Sequence, residues 1–167
     1  MLILRLVHIL GGVFWAGTIF FMVLYLEPSA RAAGPDAAKV MGGIQKRGLM
    51  TVLPIVALLT ILSGVDLYRR LSVGFEPAWI NSRIGLTYGT GAIVSILALA
   101  IGFFVMRPAT IRAGQMAASI PTISDETDRQ RAQGTVAQLR GRARSALRVV
   151  AVLLAVAVVT MAVGRYV

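Results

Sequence analysis

The stretch LVHILGGVFWAGTIFFMVLYL, residues 6–26, decides the fold class because it holds 21 consecutive residues without Asp, Glu, Lys or Arg. A helix needs about 20 apolar residues to cross the ~30 Å hydrocarbon layer of a membrane. Three further uncharged runs follow at residues 48–65, 84–106 and 149–164. Arginines that flank the two shorter runs can extend to the headgroups and complete them. The pattern predicts four transmembrane helices.

The composition agrees with a membrane protein. Hydrophobic residues make up 57% of the 167 positions and charged residues 14%, whereas a soluble domain carries about 25% charged residues. Soluble enzyme classes are therefore excluded. The first run is longer than the 7 to 15 apolar residues of a secretory signal, so we expect it to be an uncleaved span. The chain has no cysteine, which excludes disulfides, thiolate metal sites and iron–sulfur clusters within it.

The distribution of basic residues predicts the orientation. The net charge is +10, with four Lys/Arg in residues 27–47, eight in residues 107–148 and five on the opposite side of the membrane. By the positive-inside rule we expect both termini to be periplasmic, in a bacterial inner membrane. The arginines lie beside the apolar runs without interleaved aromatic residues, which disfavours a nucleic-acid role.

The pattern predicts an all-α, polytopic fold: one membrane domain, residues 1–167, with four helices in an up-down bundle and cytoplasmic helical segments at residues 36–47 and 108–148. Arg107-Pro108 is expected to end or kink span three. Small or apolar residues then recur at steps of four and three from Ala132 to Val150. This seam predicts a long basic cytoplasmic extension of the last helix, about 40 residues and ~60 Å in all. The extension presents Arg140, Arg144 and Arg148 on a second face, where we expect contact with anionic lipids at the cytoplasmic face, or alternatively with a partner.

Small residues in the spans predict close helix packing, because helices in lipid approach each other best where side chains are small. No internal repeat is evident among the four spans. The expected packing positions are Gly12, Ala16, Gly85, Gly89, Gly91, Ser95, Ala98 and Gly102.

His8 is the only histidine. An ionisable ring at membrane depth indicates a functional site. Trp15 lies two helical turns further, with Gly11 and Gly12 between them, and such a gap could take a flat cofactor. The alternative is that His8 hydrogen-bonds a neighbouring helix and Trp15 fills the core. A bis-histidine haem is excluded within one chain, whereas haem with His/Met or His/Lys ligation, or copper bound by His8 and methionines, stays open.

Several short motifs resemble the CopD-like and HemJ-like four-helix integral membrane proteins, including relatives described only as predicted membrane proteins. They are His8-x6-Trp15-x-Gly17, Gln45-Lys46-Arg47-Gly48-Leu49, Thr60-Ile-Leu-Ser-Gly64, Trp79-Ile-Asn81-Ser-Arg83 and Met161-Ala-Val-Gly-Arg165-Tyr166. The resemblance to HemJ-like porphyrin oxidases implies a haem-associated site at His8 and Lys46. This chain departs from that group at two positions. HemJ-like proteins have histidine where this chain has Asn81, and lysine where it has Arg83. The resemblance to CopD-like proteins implies copper uptake.

Three functions follow as hypotheses. The first is a non-catalytic accessory or structural subunit of a larger respiratory or photosynthetic membrane complex, with other membrane subunits as partners and no cofactor. The second is a haem b or porphyrin-oxidising protein centred on His8, with Trp15 and Lys46 as further cofactor residues. The third is a copper carrier with His8 as metal ligand.

Overall fold

The computed structural model describes the backbone of residues 1–167 and every side chain except that of residue 35. Helices account for 89% of the chain, and no strand occurs among the described residues. The α-helices are α1 (Leu2–Phe21), α2 (Glu27–Ala32), α3 (Ala37–Lys46), α4 (Leu49–Leu71), α5 (Pro77–Ile80), α6 (Arg83–Ile101), α7 (Arg107–Ser119) and α8 (Glu126–Val163).

Four helical segments are long and apolar enough to cross a membrane: Leu2–Ala32, Leu49–Leu71, Arg83–Thr122 and Glu126–Val163. At 1.5 Å per residue they measure about 46, 35, 60 and 57 Å. The four predicted spans fall within them. Three of the four segments are much longer than a ~30 Å hydrocarbon layer requires.

The third segment continues past the Arg107-Pro108 pair that is expected to end or kink it. Arg107-Pro108 does not end the helix, since α6 continues through a π-helical turn, Gly102–Met106, into α7. The first segment has the same design: α1 continues through the π-helical turn Met22–Leu26 into α2, whose second residue is Pro28. Proline lacks an N–H and its ring crowds the carbonyl four residues back. A π-turn just before it widens the helix there, which lets the helix continue.

The long helices share one apolar core. α1 packs mainly against α4, and α6 packs mainly against α8, with further contacts between α4 and α6 and between α1 and α8. The core contains buried residues from all four long segments: Trp15, Ala16, Ile19, Met22, Leu53, Ala57, Ala98, Met106, Ala146, Leu147, Val150, Ala151 and Leu154.

The last helix is continuous over 38 residues, as the seam predicts. It begins where the Asp125 carboxylate accepts a 2.9 Å hydrogen bond from the Asp128 N–H, which satisfies one of the unpaired amides of the first turn. Val136, Ala146 and Val150 of the seam are buried. α8 also packs against α7, which the sequence predicted only as part of a cytoplasmic segment.

The structure reveals an internal repeat that is not evident in the sequence. The two π-turns lie 80 positions apart, 22–26 and 102–106, and so do Pro28 and Pro108. α4 and α8 are related by an offset of 100, which aligns six identical pairs: Val52/Val152, Leu53/Leu153, Val56/Val156, Ala57/Ala157, Thr60/Thr160 and Gly64/Gly164. The chain therefore consists of two similar halves, α1–α4 and α6–α8. Because the two offsets differ by 20 (100 − 80), the second half has 20 more residues between its two long helices than the first half.

Candidate functional site

His8 lies on α1 and faces α4. Its Nδ1 is 2.8 Å from the Thr60 carbonyl oxygen, and because a carbonyl only accepts, Nδ1 carries the proton. The ring fits because Gly64 has no side chain: a Cβ there would lie 2.7 Å from Cε1 of His8. This tautomer leaves Nε2 as an acceptor or ligand atom, the arrangement that metal-binding histidines also use.

Thr60 fills the glycine gap between His8 and Trp15. A Cβ on Gly11 would collide with Oγ1 of Thr60, and one on Gly12 would lie 3.7 Å from Cγ2 of Thr60. The Thr60 hydroxyl donates a 2.8 Å hydrogen bond to the Val56 carbonyl of its own helix. The glycines thus bring α1 and α4 into contact, and the space that a flat cofactor would need is taken by Thr60.

Trp15 is a core residue, with only 4% of its surface exposed. It lines a small apolar cavity together with Ile19, Ala57, Ala98 and Val150. The cavity volume is about 30 Å³, close to the volume of one water molecule in the liquid. Cofactor pockets measure about 300–1,000 Å³, so this cavity does not hold a porphyrin.

The other residues of the implied haem site lie apart from His8. Lys46 is exposed at the end of α3, while Thr60 lies eleven residues beyond Leu49, about 16 Å further along α4. Asn81 is exposed, and its Nδ2 donates a 2.9 Å hydrogen bond to the Pro77 carbonyl. Among the described residues there is no group of three or more His, Cys, Asp or Glu that could hold a metal ion.

The contact between α6 and α8 in the second half repeats the contact between α1 and α4 in the first half. A Cβ on Gly91 would lie 2.6 Å from Oγ1 of Thr160, as one on Gly11 would meet Thr60. A Cβ on Gly164 would lie 2.5 Å from the Tyr88 ring, at the position equivalent to Gly64 and His8. The lone histidine therefore occupies an aromatic packing position that its counterpart, Tyr88, also fills.

Most of the other predicted packing positions are buried or closely approached by neighbouring atoms, and one is not. Ala16 and Ala98 are buried in the core, and Ser95 bonds the Gly91 carbonyl of its own helix. A Cβ on Gly89 would lie 3.5 Å from Oη of Tyr68, and one on Gly85 would meet the Trp79 carbonyl. Gly102 differs, because a Cβ there would have no neighbour within 4 Å.

A cluster of charges joins α2 to α8. Glu27 approaches three arginines: Nη2 of Arg31 at 2.7 Å, Nε of Arg144 at 2.5 Å and Nη2 of Arg148 at 3.8 Å. The contact of the Arg144 Nε with the carboxylate lacks hydrogen-bond geometry. Arg140, the third arginine of the predicted face, is exposed and makes no ion pair among the described residues.

Sequence reasoning missed Glu27 and Arg31. A signal was present: Glu27 is the first acidic residue of the chain, it directly follows a 21-residue apolar run, and Arg31 lies four residues further on. That spacing favours an ion pair on one helix face. What the sequence could not show is that Arg144 and Arg148 of the last helix reach the same carboxylate.

No family model, curated protein or solved structure matches this chain. The similarity to CopD-like and HemJ-like proteins therefore stays a prediction from short motifs.

Proposed function

We propose that this chain is a non-catalytic integral membrane subunit that presents a basic helical platform to a partner of a larger membrane assembly. The proposal includes an up-down bundle in a bacterial inner membrane with both termini periplasmic. In that orientation the two similar halves run the same way through the membrane, as in parallel repeats related by an axis along the membrane normal. The respiratory or photosynthetic nature of the assembly stays a prediction.

The main support for this proposal is the stalk. We define the stalk as residues 107–148, which comprise α7, the short connection after it and the first part of α8. The 20 residues by which the second half exceeds the first lie in this stretch. α8 is about 57 Å long, so about 27 Å of it extends beyond a 30 Å hydrocarbon layer. α7 packs against α8, and Ala109 and Ala113 of α7 are buried. A packed helix pair of this length supports a rigid platform.

The surface of the stalk favours an acidic partner. Residues 107–148 contain eight arginines and three acidic residues. Two of the acids, Glu126 and Asp128, pair with Arg129 and Arg131. Arg140 and Arg142 are exposed and make no ion pair among the described residues. Such a surface complements a negatively charged surface and steers its approach.

The test is native electrophoresis of the tagged chain extracted from its own membranes with a mild detergent. We expect the wild-type chain to migrate in a large complex and the Arg140→Glu/Arg142→Glu variant to migrate alone. Arg83→Glu, an exposed substitution at the other end of the bundle, is the matched control and should leave the complex intact. A wild-type chain that migrates alone, or a complex that survives the double reversal, contradicts the proposal.

The second candidate is a haem-binding or HemJ-like porphyrin-oxidising protein centred on His8. The observation that favours it is the Nδ1 bond to Thr60, which leaves Nε2 as a ligand atom. Haem does not fit between the helices, since Thr60 occupies the glycine gap and the core cavity measures only about 30 Å³. A haem bound by His8 would therefore have to lie on the outside of the bundle.

An absorption spectrum of the purified chain tests this candidate. A Soret band that is lost in His8→Ala and retained in Tyr88→Ala, the equivalent position of the second half, would support it. A spectrum without a Soret band, or a band unchanged by His8→Ala, would rule it out.

A further inference from the structure

We propose that the recess between α2 and α8 binds the phosphate of one anionic phospholipid, through Arg31 and Arg148. This inference goes beyond the proposed platform. It requires only that the chain lies in a membrane.

The recess is an open groove whose lining suits a lipid headgroup. Its volume is about 510 Å³, and it is lined by Val23, Glu27, Pro28, Arg31, Ala32 and Arg148. Sites for small molecules measure about 300–1,000 Å³. Val23 lies within the apolar run and offers an apolar contact below the charges, whereas Pro28 and Ala32 flank Arg31 at the level of the arginines. A lipid presents the same sequence of chemistry, acyl chain below and phosphate above.

The charge in the recess is unbalanced. Glu27 supplies one negative charge against the three guanidinium groups of Arg31, Arg144 and Arg148, which leaves +2. The side chains of Arg31 and Arg148 are 58% and 59% exposed, whereas that of Glu27 is only 18% exposed. Each guanidinium has five N–H donors, so donors are left over for a phosphate, which arginine binds in a bidentate manner.

The depth of the recess favours a lipid over a free phosphate. The apolar run of the first span ends at residue 26, immediately before Glu27, and the apolar run of the last span begins at residue 149, immediately after Arg148. Both helices therefore change from apolar to charged at the same level, where headgroups lie. Basic pockets between transmembrane helices at this level recognise anionic headgroups.

Comparison of the two halves indicates a specific site. With the offsets of 80 and 100, Glu27 and Arg31 correspond to Arg107 and Ile111, and Arg144 and Arg148 correspond to Ile44 and Gly48. The residues that form the cluster are thus absent from the equivalent place, where Arg107 instead donates a 3.1 Å hydrogen bond to the Met50 carbonyl. We infer one lipid site per chain, on one side of the bundle.

Native mass spectrometry of the purified chain in detergent tests the proposal. The probes are phosphatidylglycerol, zwitterionic phosphatidylcholine and inorganic phosphate. We expect one phosphatidylglycerol to bind per chain, with much weaker binding of phosphatidylcholine. Arg31→Gln/Arg148→Gln should weaken the binding of phosphatidylglycerol by at least about tenfold, because one charged hydrogen bond contributes about 1.5–3 kcal/mol and 1.4 kcal/mol is tenfold. Arg69→Gln/Arg70→Gln, an exposed arginine pair at the other end of the bundle, should leave it unchanged.

A second variant covers the case in which the double Gln variant fails to fold. Arg31→Lys/Arg148→Lys keeps both charges but loses bidentate geometry, and it should bind phosphatidylglycerol more weakly than wild type. Equal binding by the wild type and by whichever recess variant folds would overturn the proposal. So would displacement of the lipid by inorganic phosphate at matched concentration, which would show a free-anion site. Native electrophoresis tests only the platform, and native mass spectrometry tests only the lipid site. One proposal can therefore be refuted while the other stands.

Discussion

Substitution of Gly91 by alanine should destabilise the bundle by overpacking the contact of α6 with α8. The added Cβ would lie 2.6 Å from Oγ1 of Thr160 and 2.8 Å from Cε of Met161. Both neighbours must move, and the Thr160 hydroxyl is held by hydrogen bonds of 3.0 and 2.9 Å to its own helix. Overpacking of this kind costs about 1–3 kcal/mol, against a gain of up to ~1 kcal/mol in helix propensity. We expect a net loss of up to about 2 kcal/mol.

The matched control is Gly17→Ala. A Cβ on Gly17 would have no neighbour within 4 Å, so only the propensity gain of up to ~1 kcal/mol remains. The measurement is unfolding of the detergent-solubilised chain followed by circular dichroism. Thr160→Ala should relieve the loss in a double-mutant cycle, since it removes the colliding oxygen. The reasoning is refuted if Gly91→Ala is as stable as Gly17→Ala, or if Thr160→Ala leaves its effect unchanged.

Three further effects follow from other contacts. His8→Phe should cost about 0.6 kcal/mol, a typical value for a hydrogen bond between membrane helices; the same unfolding assay checks this, and a loss above 3 kcal/mol would indicate a larger role for the ring. Glu27→Gln should lower stability by about 1–3 kcal/mol because it leaves Arg144 and its neighbours without their carboxylate; the loss should shrink in 1 M salt, and an equal loss at both salt concentrations would refute it. Asp125→Ala removes the N-cap of α8, worth about 1 kcal/mol, so hydrogen exchange should accelerate in the first turn of α8 but not in Ser124→Ala.

The spans could be predicted from the sequence because the absence of charge over 16 to 23 residues is a one-dimensional property. The continuity of α8 could be predicted for a similar reason, since the seam and the Asp125 cap are both local signals. The arrival of Arg144 at Glu27 could not, because 117 positions separate them (144 − 27) and only the packing of two helices brings them together. The passage of the helix through Pro108 could not be predicted, because the π-turn that accommodates the proline has no sequence signal of its own.

At the sequence level a hydrogen bond from His8 to a neighbouring helix was one of two alternatives, and the structure has such a bond, to the Thr60 carbonyl. The repeat was missed for a different reason. Its two parts are aligned by different offsets, 80 and 100, so a search at one period loses half of the matches. Only equivalent contacts, such as those of Gly11 with Thr60 and Gly91 with Thr160, fix the alignment.

Comparison of the two halves distinguishes positions that serve helix packing from positions that serve function. Where they agree, as at Thr60/Thr160 and Gly64/Gly164, the residues bring two helices into contact and any pair of halves needs them. Where they differ, the differences are chemical: a histidine against Tyr88, Glu27 against an arginine, and 20 additional residues in the stalk of the second half. A symmetric bundle would offer each surface twice, whereas these differences give the chain one charge cluster, one long stalk and one imidazole ring. The asymmetric positions are therefore where partners and ligands should be sought, and substitutions that restore the symmetry should leave the fold intact while they remove binding.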